Sequence, residues 1–186
     1  MNYSKIYPAF RHWIEKGNLF FYSDPHFSDE DMKYFRVNYL DDEEQVKRIN
    51  KFIGKNDTIV ILGDIGNKEY LKKVRGYKVL VLGNHDTGKN TYEGYADEIY
   101  EGAVMISENI ILSHEPVDFP YALNIHGHIH SKRDIYGHVL VSPENTGFTP
   151  ISLSFIVKSG KLKECVDIHR ETIDNAAERK LNRLDT

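Results

Sequence analysis

The sequence has few of the features that mark secreted or membrane-embedded proteins. It contains one cysteine, Cys165, in 186 residues, so no disulfide can form within the chain. No apolar run approaches the roughly 20 residues that a membrane-spanning helix needs. The segment from Met1 to Trp13 also lacks the apolar core of a signal peptide. We therefore expect a cytoplasmic protein with no membrane partner.

The sequence also has no excess of basic charge. The chain has 24 Lys and Arg against 28 Asp and Glu, and its formal net charge is −4 at pH 7. Because nonspecific binding to a nucleic-acid backbone needs a positive field, we expect no stable nucleic-acid binding, although an enzyme that acts on nucleotides stays compatible with this charge. A length of 186 residues and 40% hydrophobic content predict one domain over residues 1–170. A charged C-terminal helix or tail is expected over residues 171–186, and nothing in the sequence indicates the oligomeric state.

Short apolar runs rich in β-branched and aromatic residues predict buried strands, because they are too short for helices. These runs are Leu19 to Ser23, Thr58 to Leu62, Tyr77 to Leu82, Ile110 to Leu112 and Ala122 to Ile125. Each run ends where a block of polar residues begins. Ligands of α/β proteins bind outside the carboxyl ends of strands, so we expect these blocks to converge in space.

Two helices are predicted between the first three strands. The segment from Asp41 to Ile53 places apolar residues at helical spacing among charged ones, and Gly54 follows it as a stop. A second helix is predicted over Lys68 to Arg75, where Gly76 ends the element. The alternation of strand and helix indicates the α/β class.

The pattern changes after the last polar block. Alternating apolar and polar residues predict strands over His138 to Val141, Ile151 to Val157 and Leu162 to Ile168. Ser159 and Gly160 between the last two segments predict a hairpin turn. This half of the chain is therefore expected to form a second sheet.

The polar blocks consist of residue types that bind transition metals. They are Asp24-Pro25-His26, Gly63-Asp64, Gly83-Asn84-His85-Asp86, Ser113-His114 and Gly127-His128-Ile129-His130. Imidazole together with carboxylate suits Mn²⁺, Fe²⁺, Zn²⁺ or Co²⁺ better than Mg²⁺ or Ca²⁺. So many candidate ligands exceed the needs of one tetrahedral ion. They fit two ions about 3.5–4 Å apart that share a carboxylate, as in two-metal hydrolases acting on phosphate esters.

Taken in order, the blocks resemble the motifs of the calcineurin-like metallophosphoesterases. The pattern D-x-H, G-D, G-N-H-D, H and G-H-x-H covers roughly residues 18 to 150, and five ordered blocks are far more specific than any one of them. The segment from Val141 to Asn145 resembles a loop of small bacterial and viral members. The resemblance implies an α/β fold with four αββα layers, in which two mixed sheets are flanked by helices.

The resemblance also implies a role for each block residue. By that resemblance the first metal is bound by Asp24, His26 and His130, the second metal is bound by Asn84, His114 and His128, and Asp64 bridges the two. The implied cofactors are two divalent transition metal ions, with Mn²⁺ preferred and Fe, Zn, Co or Ni as alternatives. A hydroxide between the metals is the implied nucleophile, and His85, held by Asp86, is the implied general acid.

Three activities are compatible with this site. The first is a phosphodiesterase acting on a small or nucleotide-derived diester, favoured because the segment between Asp64 and Asn84 has no room for a cap domain. The second is a phosphomonoesterase or protein phosphatase, which uses the same metals. The third is a noncatalytic scaffold, which the presence of His85 and of every ligand opposes.

Some residues beside the blocks have two interpretations. Lys132 and Arg133 follow the last block and either contact a substrate phosphate or are solvated surface charges. Tyr22, Phe27 and Tyr121 either stack on a base or belong to core or rim packing.

Overall fold

The computed structural model describes residues 5–167 and 171–178. Its strands are β1 (Leu19–Ser23), β2 (Thr58–Leu62), β3 (Tyr77–Val81), β4 (Glu98–Tyr100), β5 (Val104–Ser107), β6 (Ile110–Leu112), β7 (Leu123–His126), β8 (His138–Leu140) and β9 (Ile151–Ser152). Its α-helices are α1 (Met32–Phe35), α2 (Asp42–Phe52), α3 (Pro143–Thr146) and α4 (Leu153–Ser159). Short 3₁₀ helices span Pro8–Trp13, Lys68–Lys73, Lys89–Tyr92 and Lys161–Glu164.

The strands form two mixed sheets. The first has the order β4-β3-β2-β1-β9, in which β1 to β4 run parallel and β9 is antiparallel to β1. The second has the order β5-β6-β7-β8, in which β5 alone is antiparallel to its neighbour. The α/β fold with two mixed sheets and flanking helices is therefore confirmed. Parallel β1, β2 and β3 end at one edge, so the polar blocks that follow them meet there.

The first sheet is buried on both faces, which explains its continuous apolar runs. Successive side chains of a strand point to opposite faces. Phe21 of β1 packs with β6 and β7 residues in the core between the two sheets, and its neighbour Tyr22 packs on the opposite face. That opposite face is covered by α2, whose Val46 and Ile49 are buried.

Most of the predicted elements before His130 are confirmed. Strands β1, β2 and β6 have the predicted bounds, β3 ends one residue earlier than predicted, and β7 is shifted by one residue at both ends. Helix α2 occupies the segment predicted from Asp41, whose carboxylate accepts a hydrogen bond from the Glu44 amide at 2.8 Å and caps the helix. The helix predicted over Lys68 to Arg75 is a shorter 3₁₀ helix over Lys68–Lys73.

The two strands predicted after residue 150 are wrong. In the first of them only Ile151–Ser152 is a strand, and α4 then begins with the Ser152 hydroxyl accepting a hydrogen bond from the Phe155 amide at 3.2 Å. Gly160 has a φ of 87° and ends α4, so it belongs to a helix end and not to a hairpin turn. The segment predicted as the last strand contains a 3₁₀ helix, Lys161–Glu164, and its end at Ile168 lies outside the described residues. The second sheet is built mainly from earlier strands, β5 to β7.

The end of the chain is described in part. Residues 171–178 are helical with exposed side chains, and the remainder of the predicted tail, residues 179–186, lies outside the described residues. Within the described ranges, no helix combines the length and apolar character needed to cross a membrane.

Candidate metal centre

The structure brings the polar blocks together in two overlapping clusters of ligand atoms. Each residue of a cluster offers one nitrogen or oxygen, and these atoms lie within 4.8 Å of one another in Asp24, His26, Asp64 and His130, and again in Asp64, His114 and His128. Asp64 belongs to both clusters. This is the arrangement expected of a carboxylate shared by two ions.

The second cluster is compact. His114 Nε2 lies 2.9 Å from Asn84 Oδ1, 3.2 Å from His128 Nδ1 and 3.3 Å from Asp64 Oδ2. Atoms that bind one transition ion at about 2.1 Å are separated by about 3–3.5 Å from each other. The spacing therefore fits a single divalent cation, and Asn84 joins the three residues of the cluster.

The first cluster contains a buried nitrogen with no hydrogen-bond partner. His26 Nε2 lies 3.5 Å from Asp64 Oδ2, and no described residue forms a hydrogen bond with it. His130 Nε2 lies 3.6 Å from Asp24 Oδ1, and Asp24 is fully buried. Because a buried polar atom without a partner is costly, the free His26 nitrogen favours a cation as the missing partner. Nitrogen and carboxylate donors suit a divalent transition metal.

Burial sets the charges of this centre. It raises the pKa of the Asp24 carboxyl above its usual value and lowers the pKa of His26 to about 4. Burial also acts to lower the pKa of His114, but hydrogen bonds to Asp64 and to the Leu62 carbonyl raise it to about 9. His26 is therefore a neutral imidazole near neutral pH, the form that binds metals.

Several candidate ligands have a left-handed backbone conformation. The φ angles are 49° at Asp24, 48° at His26, 52° at Asp64 and 65° at His128. Such angles cost on the order of 1–2 kcal/mol in residues other than glycine. Strained residues concentrate at functional sites, where surrounding contacts hold them. Here all four strained residues are members of the two ligand clusters.

Two glycines let the loops approach the carboxylates closely. A Cβ on Gly83 would lie 2.3 Å from Asp64 Oδ1, and a Cβ on Gly127 would lie 2.3 Å from Asp24 Oδ2. Both distances are far below van der Waals contact, so any larger residue would displace a candidate ligand.

The histidines are oriented through their other ring nitrogens. His114 Nδ1 donates to the Leu62 carbonyl at 2.9 Å, and His130 Nδ1 donates to Glu144 Oε1 at 3.1 Å. His26 Nδ1 lies 3.2 Å from Asp29 Oδ2. Metal-binding histidines in proteins usually have such a partner, because it fixes the ring and the tautomer.

Sequence reasoning missed a buried ion pair behind His130. Arg36 Nε donates to Glu144 Oε1 at 2.9 Å, and its two other nitrogens donate to the Asp24 carbonyl at 2.5 Å and the Pro25 carbonyl at 3.3 Å. Arg36 thus connects the loop that carries Asp24 to the carboxylate that orients His130. The pair is separated by 108 residues, so no local pattern could have indicated it.

This contact gives a testable prediction for Glu144. Glu144→Gln removes the negative charge that holds the His130 ring, so we expect the affinity for a divalent transition metal to fall by about 10–100-fold. The measurement is a titration of metal-free protein with Mn²⁺ against a competing chelator.

Glu98→Gln is the matched control. Glu98 is buried to a similar degree, with a side-chain exposure of 19% against 15% for Glu144, and also has a histidine partner, His12. It lies on β4, outside both ligand clusters. Glu98→Gln is expected to lower the melting temperature without changing metal affinity. A similar loss of affinity in both variants would contradict the role of Glu144.

His85 lies at the open side of the centre. Its side chain is exposed, its ring centroid lies 5.8 Å from that of His26, and its main-chain amide donates to Asp64 Oδ1 at 3.1 Å. The neighbouring side chain of Asp86 points elsewhere. Its carboxylate accepts hydrogen bonds from the amides of Gly83, Asp64 and Ile65 and from the Tyr92 hydroxyl.

The geometry therefore differs from the expectation that Asp86 holds the His85 imidazole. Within the described residues, the hydrogen bonds of Asp86 go to the loops after β2 and β3 and not to His85. Adjacent residues of a loop need not point in the same direction, so adjacency in sequence was a poor guide. Asp86 joins the Asp64 loop to the Asn84 loop.

The aromatic residues near the blocks are mostly core residues. Tyr22 is 0% exposed and Phe27 is 1% exposed, so neither ring is available to a base. Tyr121 is partly buried and packs edge-on against Phe119, with ring centroids 5.4 Å apart. The packing interpretation is the one that fits Tyr22 and Phe27.

The chain is similar to known proteins in sequence and in fold. A family profile described as calcineurin-like phosphoesterase matches residues 18–157. A crystal structure of a protein of unknown function from Aquifex aeolicus is 27% identical, with a TM-score of 0.63, over 76% of this chain and 98% of that one. The nuclease MPE from Pseudomonas putida is 20% identical, with a TM-score of 0.47, over 74% of this chain and 70% of that one. No curated protein matches the chain significantly.

Proposed function

This chain belongs to the calcineurin-like phosphoesterase family and is therefore a metal-dependent phosphoesterase, and from that premise we propose that it hydrolyses small or nucleotide-derived phosphodiesters. The observation that carries the two-metal hydrolase in this proposal is the position of Asp64, which belongs to both clusters of ligand atoms. One carboxylate common to two cation sites is the feature of two-metal phosphoester hydrolases.

We assign the ligands as follows. One ion would be held by Asp24, His26 and His130, the other by Asn84, His114 and His128, and Asp64 would be shared. The atom spacing within each cluster and the unpartnered nitrogen of His26 support this assignment. Mn²⁺ is the proposed ion, because mixed imidazole and carboxylate donors favour transition metals over Ca²⁺.

The metal ions and the protein side chains would have different roles in the reaction. Bound at this centre, two divalent cations would neutralise phosphate oxygens and supply hydroxide near neutral pH. The buried carboxylates of Asp24 and Asp64 would balance the added positive charge. We assign His85 the transfer of a proton to the leaving alkoxide, because its exposed ring lies beside His26 and can reach a bound ester.

On the Asn84 side of the centre, the charges favour a diester over a monoester. A monoester dianion gains from additional cationic groups near its second charge. Arg36 is not available for this purpose, because its guanidinium is paired with Glu144 and two main-chain carbonyls. On the side of Asn84 and His114, the adjoining surface carries Glu101 and Glu115, which oppose further negative charge.

The proposal predicts the order of substrate preference. With Mn²⁺, kcat/KM should be higher for bis-nitrophenyl phosphate and 2′,3′-cyclic nucleotides than for nitrophenyl phosphate, by about tenfold or about 1.4 kcal/mol. Nitrophenolate release and chromatography of the nucleotide products measure these rates. Asp64→Asn protein prepared in the same way shows whether a contaminating phosphatase contributes. A clear preference for the monoester with several metals would instead make the chain a phosphomonoesterase.

A further inference from the structure

A hollow of about 780 Å³ lies beside the candidate metal centre. Its walls are residues 35–40, Arg48 of α2, residues 130–132, and α3 with Gly147 and Phe148. We call it the His130-side pocket, because the candidate ligand His130 is part of its wall. Its volume lies within the range of about 300–1,000 Å³ that is usual for small-molecule sites.

The rim of the His130-side pocket is aromatic and apolar. Phe35 is 73% exposed and Val37 is 99% exposed, and Tyr39 beside them is half-buried. Neither Phe35 nor Val37 belongs to a core cluster, so packing does not explain them. Large apolar side chains grouped at the mouth of a pocket are typical of a binding surface.

The pocket is also positively charged. Arg36 in its wall is neutralised by Glu144, which leaves Arg48 and Lys132 as the excess cations. Lys132 is exposed and has no carboxylate partner among the described residues. Arg48 interacts with Glu44 at 3.7 Å, a partly exposed pair that water screens.

The opposite side of the metal centre differs in size and charge. The hollow beside Asn84 and His114 has a volume of about 300 Å³, and its charged lining residues, Glu101 and Glu115, are acidic. An anionic ligand with a large organic group therefore fits the His130 side and is disfavoured on the other. The two sides of the metal centre therefore differ in the ligand that they can accept.

We propose that the His130-side pocket is a subsite for a mononucleotide unit. The base would stack at the rim formed by Phe35 and Tyr39, since aromatic side chains stack on any base. The negative charge of the unit would lie toward Lys132 and Arg48. The proposal rests on the proposed function and adds the substrate class and the residues that select it.

The test compares two ligands that differ in the base alone. Adenosine 5′-monophosphate and ribose 5-phosphate are titrated by calorimetry into Mn²⁺-loaded protein, with released phosphate measured to correct for hydrolysis. We expect the nucleotide to bind about tenfold more tightly, because a base–aromatic stack contributes a factor of about five or more. Phe35→Ala should reduce the ratio to near one while ribose 5-phosphate binds as before.

Phe155→Ala is the matched control for the aromatic rim. Phe155 is 62% exposed, and it lies on α4 outside the His130-side pocket. It should keep the full preference for the nucleotide. Because both side chains are mostly exposed, neither substitution is expected to unfold the protein.

A second pair of variants tests the charge. Lys132→Gln should weaken nucleotide binding about threefold at low salt and less at high salt, because the attraction is screened. Arg133→Gln, which removes the adjacent cation outside the pocket, should leave binding unchanged. Equal effects of the two variants would assign the attraction to the overall field of the surface and overturn the specific role of Lys132.

The outcomes separate this proposal from the proposed function. Equal affinities for the nucleotide and ribose 5-phosphate in the unmodified protein, or an equal loss in Phe155→Ala, would overturn the subsite. If the protein hydrolyses diesters but does not discriminate the base, the proposed function stands and the subsite proposal fails. If the protein discriminates the base but hydrolyses no diester, the subsite proposal stands and the proposed function fails.

Discussion

Asp64→Asn is expected to abolish metal binding at both positions of the centre and to lower kcat/KM by about a thousandfold or more. The substitution removes one negative charge from the residue that is common to both ligand clusters. Asparagine keeps a side-chain oxygen that can accept the hydrogen bond of the His85 amide. This 3.1 Å contact between the two loops can therefore persist in the variant. Elemental analysis of the purified variant and its melting temperature without metal measure the two effects separately.

Asp118→Asn is the control for this experiment. Asp118 is fully exposed, lies outside both clusters and contacts His138 at 3.0 Å. It should retain metal and activity. If Asp64→Asn held two tightly bound metals per chain, the shared position of Asp64 would have to be abandoned even if activity were lost.

His85→Asn is expected to lower the rate of hydrolysis without any loss of bound metal. A proton donor matters most when the leaving group is a strong base, so the rate on an alkyl diester should fall by about 10²–10⁴-fold. A nitrophenolate departs without protonation, so bis-nitrophenyl phosphate should lose far less. Metal content should stay unchanged, because the side chain of His85 belongs to neither cluster.

The comparison uses kcat for both esters with the same metal-loaded preparation. His12→Asn, which changes an exposed histidine that contacts Glu98, controls for loss of an imidazole elsewhere. Equal losses on the alkyl and nitrophenyl esters with metals retained would leave His85 a role in phosphate binding alone. Loss of metal would show that His85 supports the ligands.

The strands of the first half could be predicted because burial on both faces leaves a simple pattern. Strands β1 and β2 are buried along their whole length, so every position is apolar or nearly so. The parallel arrangement then places the following blocks at one edge. Five blocks in a fixed order could thus be grouped without knowing any angle or distance.

The segment after residue 150 could not be predicted from alternation. Ile151, Leu153 and Phe155 alternate as in a strand, but Leu153 and Ile156 also lie one helical turn apart, and the helix buries both in the core between the sheets. Short apolar segments fit both periods. Ser152 and Gly160, as cap and stop, were the local signals that favoured the helix.

The sequence by itself determined the chemistry of this protein, because residue types and their order define which atoms are available to a metal. The tertiary structure alone decided how those atoms are held. It pairs Arg36 with Glu144 behind His130, directs Asp86 into the loops instead of toward His85, and forms a cationic, aromatic hollow on one side of the centre. These features depend on side-chain directions and on contacts between residues far apart in the chain, and neither leaves a periodic signal in the sequence.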